Sequence, residues 1–230
     1  MKRYVIRIAF VISLILTAAG GLLFADRGLS WAATSAAVML CGAFFARFER
    51  RDVPAGEIAL AAVMTALAVT GRVVFAAVPA FKPCAAVIIL AGMYLGSGQG
   101  FMIGALTALV SNFFFSQGIW TPFQMIVWGL TGLISGLVGK YLRRNRFLLC
   151  LYGVLAGLFY SLSMDMCSML WMDGSFEAER FIGLTLTSVW FTVSYMVSNC
   201  VFLVLFVRPA ERIFSRLRDK YGIGSMLYET

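Results

Sequence analysis

Histidine is missing from all 230 residues. Its absence removes the usual general base near neutral pH, the Ser–His–Asp arrangement and imidazole metal ligation. Charge is scarce too. Asp, Glu, Lys and Arg make up 13% of the chain against 61% apolar residues, where a soluble domain is about a quarter charged. That balance excludes a soluble globular domain, and it excludes disorder, which needs a polar, highly charged chain. The five cysteines, Cys41, Cys84, Cys150, Cys167 and Cys200, form no CxxC pair and lie in or beside apolar runs. They read as small buried hydrophobes rather than a disulfide framework or a metal site. No GxxxxGK[ST] segment and no strand-like alternation occur, so the chain holds no ATP engine of its own. Asp165 is the one acid placed mid-helix, which leaves paired-carboxylate chemistry without support. The expectation is therefore a non-enzyme with no catalytic residue, no metal and no cofactor.

What is present is apolar run after apolar run, with a mean hydropathy of +0.88. A bilayer core takes about 20 apolar residues per helix. Runs at 4–25, 30–47, 57–78, 85–97, 100–115, 122–141, 147–170 and 181–207 read as helices. The fold class expected is an all-α integral membrane protein: a two-helix hairpin (1–52), a six-helix core (53–208) and a basic tail (209–230). The patch Gly96-Ser-Gly-Gln-Gly100 raises the question of one long helix or two short ones. Charge decides it. With the break, and the N-terminus cytoplasmic, all the positive residues except Arg27, Arg72, Lys82 and Arg180 fall on the cytoplasmic side, Lys140–Arg146 together with Arg47–Arg51. Fusing the pair would put those two clusters on opposite sides, against the positive-inside bias. The same bias explains the net charge of +8 better than nucleic-acid binding does. Both termini are expected in the cytoplasm. The first run is long for a signal peptide, contains Arg7 and is followed at once by another span, so it is expected to stay. In the tail, Arg212, Ile213, Leu217 and Tyr221 suit a short amphipathic helix on anionic headgroups.

Two kinds of small-residue face stand out. Gly92, Gly96, Gly100 and Gly104 recur every four residues, and Gly129, Gly132, Gly136 and Gly139 nearly so. Such faces let helix backbones approach closely in lipid. Ala62 and Ala66, four apart in the cytoplasmic half of the first core helix, are a candidate docking face.

The polar and aromatic residues collect on the opposite, outer side of the core. Arg72, Phe75, Phe81 and Lys82 lie around the first outer loop; Asn112, Phe115, Gln117, Trp120, Thr121, Gln124 and Trp128 around the second; Asp165, Trp171 and Asp173 around the third. Aromatics supply buried area and a few polar groups fix orientation, which suits an amphiphilic small molecule. For Trp120, Trp171 and Phe113–Phe115 the competing reading is an interfacial aromatic belt. Arg72 and Asp165 are costly inside a membrane and functional by default; they either pair with each other or leave Arg72 facing a ligand. Lys82 either joins the site or snorkels to the interface.

These residues resemble the substrate-binding S component of an energy-coupling factor (ECF) transporter, a bacterial vitamin importer. The resemblance covers about 57–208. It rests on Ala62-Val-Met-Thr-Ala66, on Gly71-Arg72 through Phe81-Lys82-Pro83, on the glycine ladder, and on Ser111-Asn-Phe-Phe-Phe115 followed by Gly118-Ile-Trp-Thr-Pro-Phe-Gln-Met125 and Trp128-Gly129. The resemblance implies a multi-pass protein of the bacterial cell membrane. It binds a vitamin from outside and topples in the bilayer to deliver it. Its partners would be a transmembrane coupling subunit, docked at Ala62 and Ala66, and two ATPase subunits on separate chains. The SNFFF…GIWTPFQM stretch looks most like the cobalamin (corrinoid) branch, with another vitamin or precursor, or a non-transport structural subunit, as alternatives. A secondary transporter would show inverted repeats, and none is evident. The hairpin departs from the usual six-helix pattern.

Overall fold

The computed structural model describes residues 28–49 and 54–221. The expected first span at 4–25, the charges Lys2, Arg3, Arg7, Arg27, Arg50 and Arg51, and the tail beyond 221 lie outside them. Eight helices and no strand occur among the described residues: α1 (Gly28–Glu49), α2 (Ala55–Val74), α3 (Cys84–Leu95), α4 (Ser97–Phe115), α5 (Trp120–Leu137), α6 (Gly139–Arg144), α7 (Arg146–Asp173) and α8 (Ala178–Tyr221). Of these, α2, α4, α7 and α8 are long and apolar enough to cross a membrane, and α1 and α3 carry shorter apolar stretches. The protein is an all-α integral membrane protein.

The local chemistry accounts for the boundaries. Pro54 precedes α2, whose first turn carries Glu57, an acid placed to meet the positive end of the helix. Gly96, at φ 95°, separates α3 from α4. Glycine alone adopts that conformation freely, so the split expected from charge counting is present. The Asn145 side chain caps α7 by accepting from the Phe147 and Leu148 N–H groups at 2.9 and 3.3 Å. Gly174, left-handed at φ 75°, ends it.

α3 sits at the centre. Almost every side chain from Cys84 to Tyr94 is buried, as expected for a helix that is apolar all round. That explains its length: a helix enclosed by α2, α4, α5 and α8 has no need to span the bilayer by itself. The glycine ladder is where α3, α4 and α5 meet. A Cβ on Gly92 would strike the Gly132 carbonyl, one on Gly132 the Gly100 carbonyl, and one on Gly104 the Trp128 carbonyl. The second tight pair is α7 with α8, where a Cβ on Gly157 would come within 3.0 Å of the Met196 nitrogen.

Two elements differ from expectation. α1 is not detached: Cys41 and Phe45 pack with Phe101 and Met125 of the core, Trp31 meets Trp171 edge-on at 5.4 Å, and the Ser30 hydroxyl donates to the Leu170 carbonyl. The last helix also does not stop near 207. α8 runs through Pro209 to Tyr221, because Phe214 is buried and stacks on Tyr94 of α3 at 4.9 Å. A separate surface helix at Arg212–Tyr221 is thus replaced by an extension held by the core.

Candidate functional site

The C-terminal ends of α2 and α4 and the N-terminal ends of α3 and α5 converge at the end of the bundle away from the α5–α6 turn. Arg72 projects there from the last turn of α2 and is only 9% exposed. Its Nη1 donates to the Ser111 hydroxyl and, at 2.8 Å, to Asn112 Oδ1. Its guanidinium carbon lies 4.6 Å from the centre of the Phe115 ring and 5.1 Å from that of Trp128. Both distances suit a cation–π contact.

Asn112 is the hub. It is 1% exposed, and its Nδ2 donates to Thr121 Oγ1 at 2.9 Å and Gln124 Oε1 at 2.8 Å. Gln124 Nε2 donates onward to the Tyr160 hydroxyl of α7 at 2.6 Å. Thr121 donates to Gln117 Oε1 at 3.0 Å, and Gln117 Nε2 to the Leu109 carbonyl at 2.9 Å. One polar chain therefore links α2, α4, α5 and α7. Asn112 spends its acceptor on Arg72 and both amide protons on the other two partners, so the amide orientation follows from the network.

A second cation joins from the α2–α3 loop. Lys82 Nζ lies 4.9 Å from the centre of the same Phe115 ring, and its backbone is tied to Ser198 of α8 through N–H and carbonyl bonds of 2.8 and 3.0 Å. Burial, and then the nearby Arg72 charge, push the Lys82 ammonium below the ordinary lysine range. Among the described residues no carboxylate pairs with either cation.

Beside the two cations Trp128 stacks on Tyr160 at 5.6 Å, and Tyr195 meets Tyr160 edge-on at 4.9 Å. A narrow cavity of about 10 Å³ to a water-sized sphere opens against these rings and is also lined by Lys82 and Asn199. Asn199 is 2% exposed; its Nδ2 donates to the Gly153 carbonyl at 2.9 Å, while its Oδ1 has no partner.

The structure thus joins Arg72, Lys82, Asn112, Phe115, Gln117, Thr121, Gln124 and Trp128 in one group. It leaves out the other sequence candidates. Phe75 and Phe81 pack on Phe202 of α8, each at 5.2 Å. Trp120, Phe113 and Phe114 are all exposed, which suits the interfacial belt. Asp165 accepts from the Ser188 hydroxyl at 2.7 Å and does not pair with Arg72, so the ion pair weighed from the sequence is absent. Asp173 instead pairs with Arg180 at 3.0 Å. Tyr160, Tyr195 and Asn199 were not singled out from the sequence, and Ser111 entered only as the first residue of the SNFFF stretch. The available signal was two tyrosines and an asparagine deep in apolar helices, where buried polar groups need partners.

A many-helix membrane protein with a recessed, polar-aromatic pocket near one end of its bundle is a binding or transport subunit in outline. Over residues 55–211 it matches the sequence model of the ECF-type riboflavin transporter, S component, and the chain belongs to that family. No curated protein and no solved structure matches it. It is a multi-pass membrane subunit of vitamin transport, of a kind that works with membrane and ATPase partners. The match is to the riboflavin type and lends no support to the corrinoid branch expected from the SNFFF stretch.

Proposed function

We propose that this chain captures a flat heteroaromatic vitamin at the Arg72–Asn112–Gln124–Tyr160 cluster and hands it across the membrane on an ATP-driven coupling module. The observation that carries the reading is the polar chain itself, set against the stacked Trp128 and Tyr160 rings in a chain of this family. Isolated polar groups in a membrane helix serve packing; a connected set with aromatic walls and an unspent acceptor at Asn199 suits a ligand. Riboflavin is the first candidate because the family match is of its type. Cobalamin, suggested by the SNFFF…GIWTPFQM stretch, is the competing occupant. A recess that admits about one water must open for any vitamin. Parting Trp128 from Tyr160 makes room for a single flat ring system, whereas a corrinoid needs the helices themselves to splay.

In this reading the ligand enters from outside and the loaded subunit topples to expose the pocket inward. The coupling subunit docks at Ala62 and Ala66, and two ATPase subunits drive the cycle. The test is equilibrium binding to the purified chain in detergent without ATP, with riboflavin, cyanocobalamin and thiamine in parallel, by calorimetry. Saturable one-to-one binding of riboflavin is the expected result. Binding of cyanocobalamin instead would restore the corrinoid branch. Binding of none would favour a non-transport structural subunit.

A further inference from the structure

Arg72 and Lys82 are two cations gathered on one aromatic ring with no acid to balance them. Arg72 meets only neutral oxygens, those of Ser111 and Asn112, both through Nη1. Its other nitrogens make no hydrogen bond among the described residues. Lys82 has the Phe115 ring and no acceptor for its ammonium. Both are part-buried or buried near one end of the bundle, where each gives up hydration, and among the described residues Asp173 and Asp219 pair with other cations, Arg180 and Arg218. A neutral ligand would not require this arrangement. An isolated helix-packing role would not either, since packing is better served by one charge or none. Independently, Lys82 borders a cavity that Asn199 also lines, and Asn199, 2% exposed, has an Oδ1 acceptor without a partner. It asks for a donor at the other end of whatever enters.

We propose that the transported molecule carries an anionic group, a phosphate monoester or a carboxylate, that Arg72 and Lys82 bind together, while its flat portion reaches the Trp128–Tyr160 stack and a donor on it meets Asn199. This rests on the vitamin-binding reading of the same recess and narrows its substrate class from neutral vitamins to anionic ones, such as a phosphorylated vitamin or an acidic precursor. A guanidinium and an ammonium converging on one site provide charge-assisted hydrogen bonds that a neutral hydroxyl cannot match. A lipid headgroup is the other source of a phosphate. Arg72 is too deeply buried for a bilayer headgroup to reach.

The experiment has two arms on the full chain in neutral, lipid-free detergent. In the first, inorganic phosphate is titrated against chloride at constant ionic strength while the melting temperature is followed, for the native protein and Lys82→Gln. Lys82 is partly exposed, so its replacement leaves the helix packing intact. In the second, affinities for riboflavin and riboflavin 5′-phosphate are compared in both proteins. The proposal expects a saturable phosphate shift that Lys82→Gln removes, and a preference for the phosphate ester of about tenfold or more that the variant abolishes. Riboflavin binding with no preference for its phosphate, unchanged in Lys82→Gln, overturns the anionic subsite and leaves the flavin reading standing. A Lys82-dependent phosphate shift with no binding of either flavin supports the subsite and removes the flavin. Neither a phosphate shift nor any flavin binding overturns both.

Discussion

Asn112 holds the site together because an amide is the smallest side chain that can accept from a guanidinium and donate twice. Replacing it with alanine strips Thr121 and Gln124 of a buried donor and Arg72 of an acceptor. Each polar group left unmatched in a buried setting costs about 1–3 kcal/mol. The expected outcome for Asn112→Ala is a clear drop in the melting temperature in detergent together with loss of vitamin binding. Asn112→Asp tests the direction of the bonds: an ionised acid accepts from Arg72 but no longer donates to Gln124, so binding falls although the Arg72 contact survives. A variant that keeps full affinity would detach the hub from the ligand. Tyr160→Phe is milder. It removes one acceptor for Gln124 Nε2 at 2.6 Å and keeps the stack on Trp128. A loss of affinity of about tenfold with little change in melting temperature is expected, measured by calorimetry.

At the scale of helices, stability rests on the glycine contacts of α3, α4 and α5. Gly132→Ala drives a methyl into the Gly100 carbonyl. Because that obstacle is backbone, the two helices must separate, at a cost of about 1–3 kcal/mol. Gly183 in α8 faces open space, so Gly183→Ala should leave the melting temperature unchanged or slightly higher. Equal effects at the two positions would show that the ladder is not where the helices bear on each other. This level was the most legible from sequence. The four-residue glycine spacing pointed to close packing, and the positive charges at Lys140–Arg146 required the break that Gly96 supplies. The length of α8 was not legible, since Pro209 reads as a stop signal and its override comes from Phe214 stacking on Tyr94, a contact that only the folded chain reveals. The site was half legible for the same reason. Arg72, Asn112 and Gln124 stand out as polar residues at helix ends. Tyr160, Tyr195 and Asn199 sit mid-helix, where only their neighbours show whether they are satisfied.

For the whole molecule, a subunit of this family works with membrane and ATPase partners, so the protein needs a face on which a partner can press. α2 has one. Ala61, Met64, Thr65, Ala68, Val69 and Arg72 point into the bundle, while Ala59, Ala62, Val63, Ala66 and Leu67 are exposed on the other side. The pocket end and the proposed docking face share one helix: Ala66 lies less than two turns before Arg72. A partner bearing on that face would push on the element that carries the buried cation, and docking would then have a direct route to the site. Small side chains there let a partner helix come close, and a bulky one holds it away. Ala62→Trp and Ala66→Trp are expected to abolish vitamin uptake in cells that supply the coupling module, while the purified variants bind ligand as the native chain does, since neither residue touches the polar cluster. Reduced binding in detergent would instead mean that the tryptophan has disturbed α2 and with it Arg72. Uptake at the native level with either tryptophan in place would move the docking surface off α2 and leave its exposed alanines as ordinary lipid-facing residues.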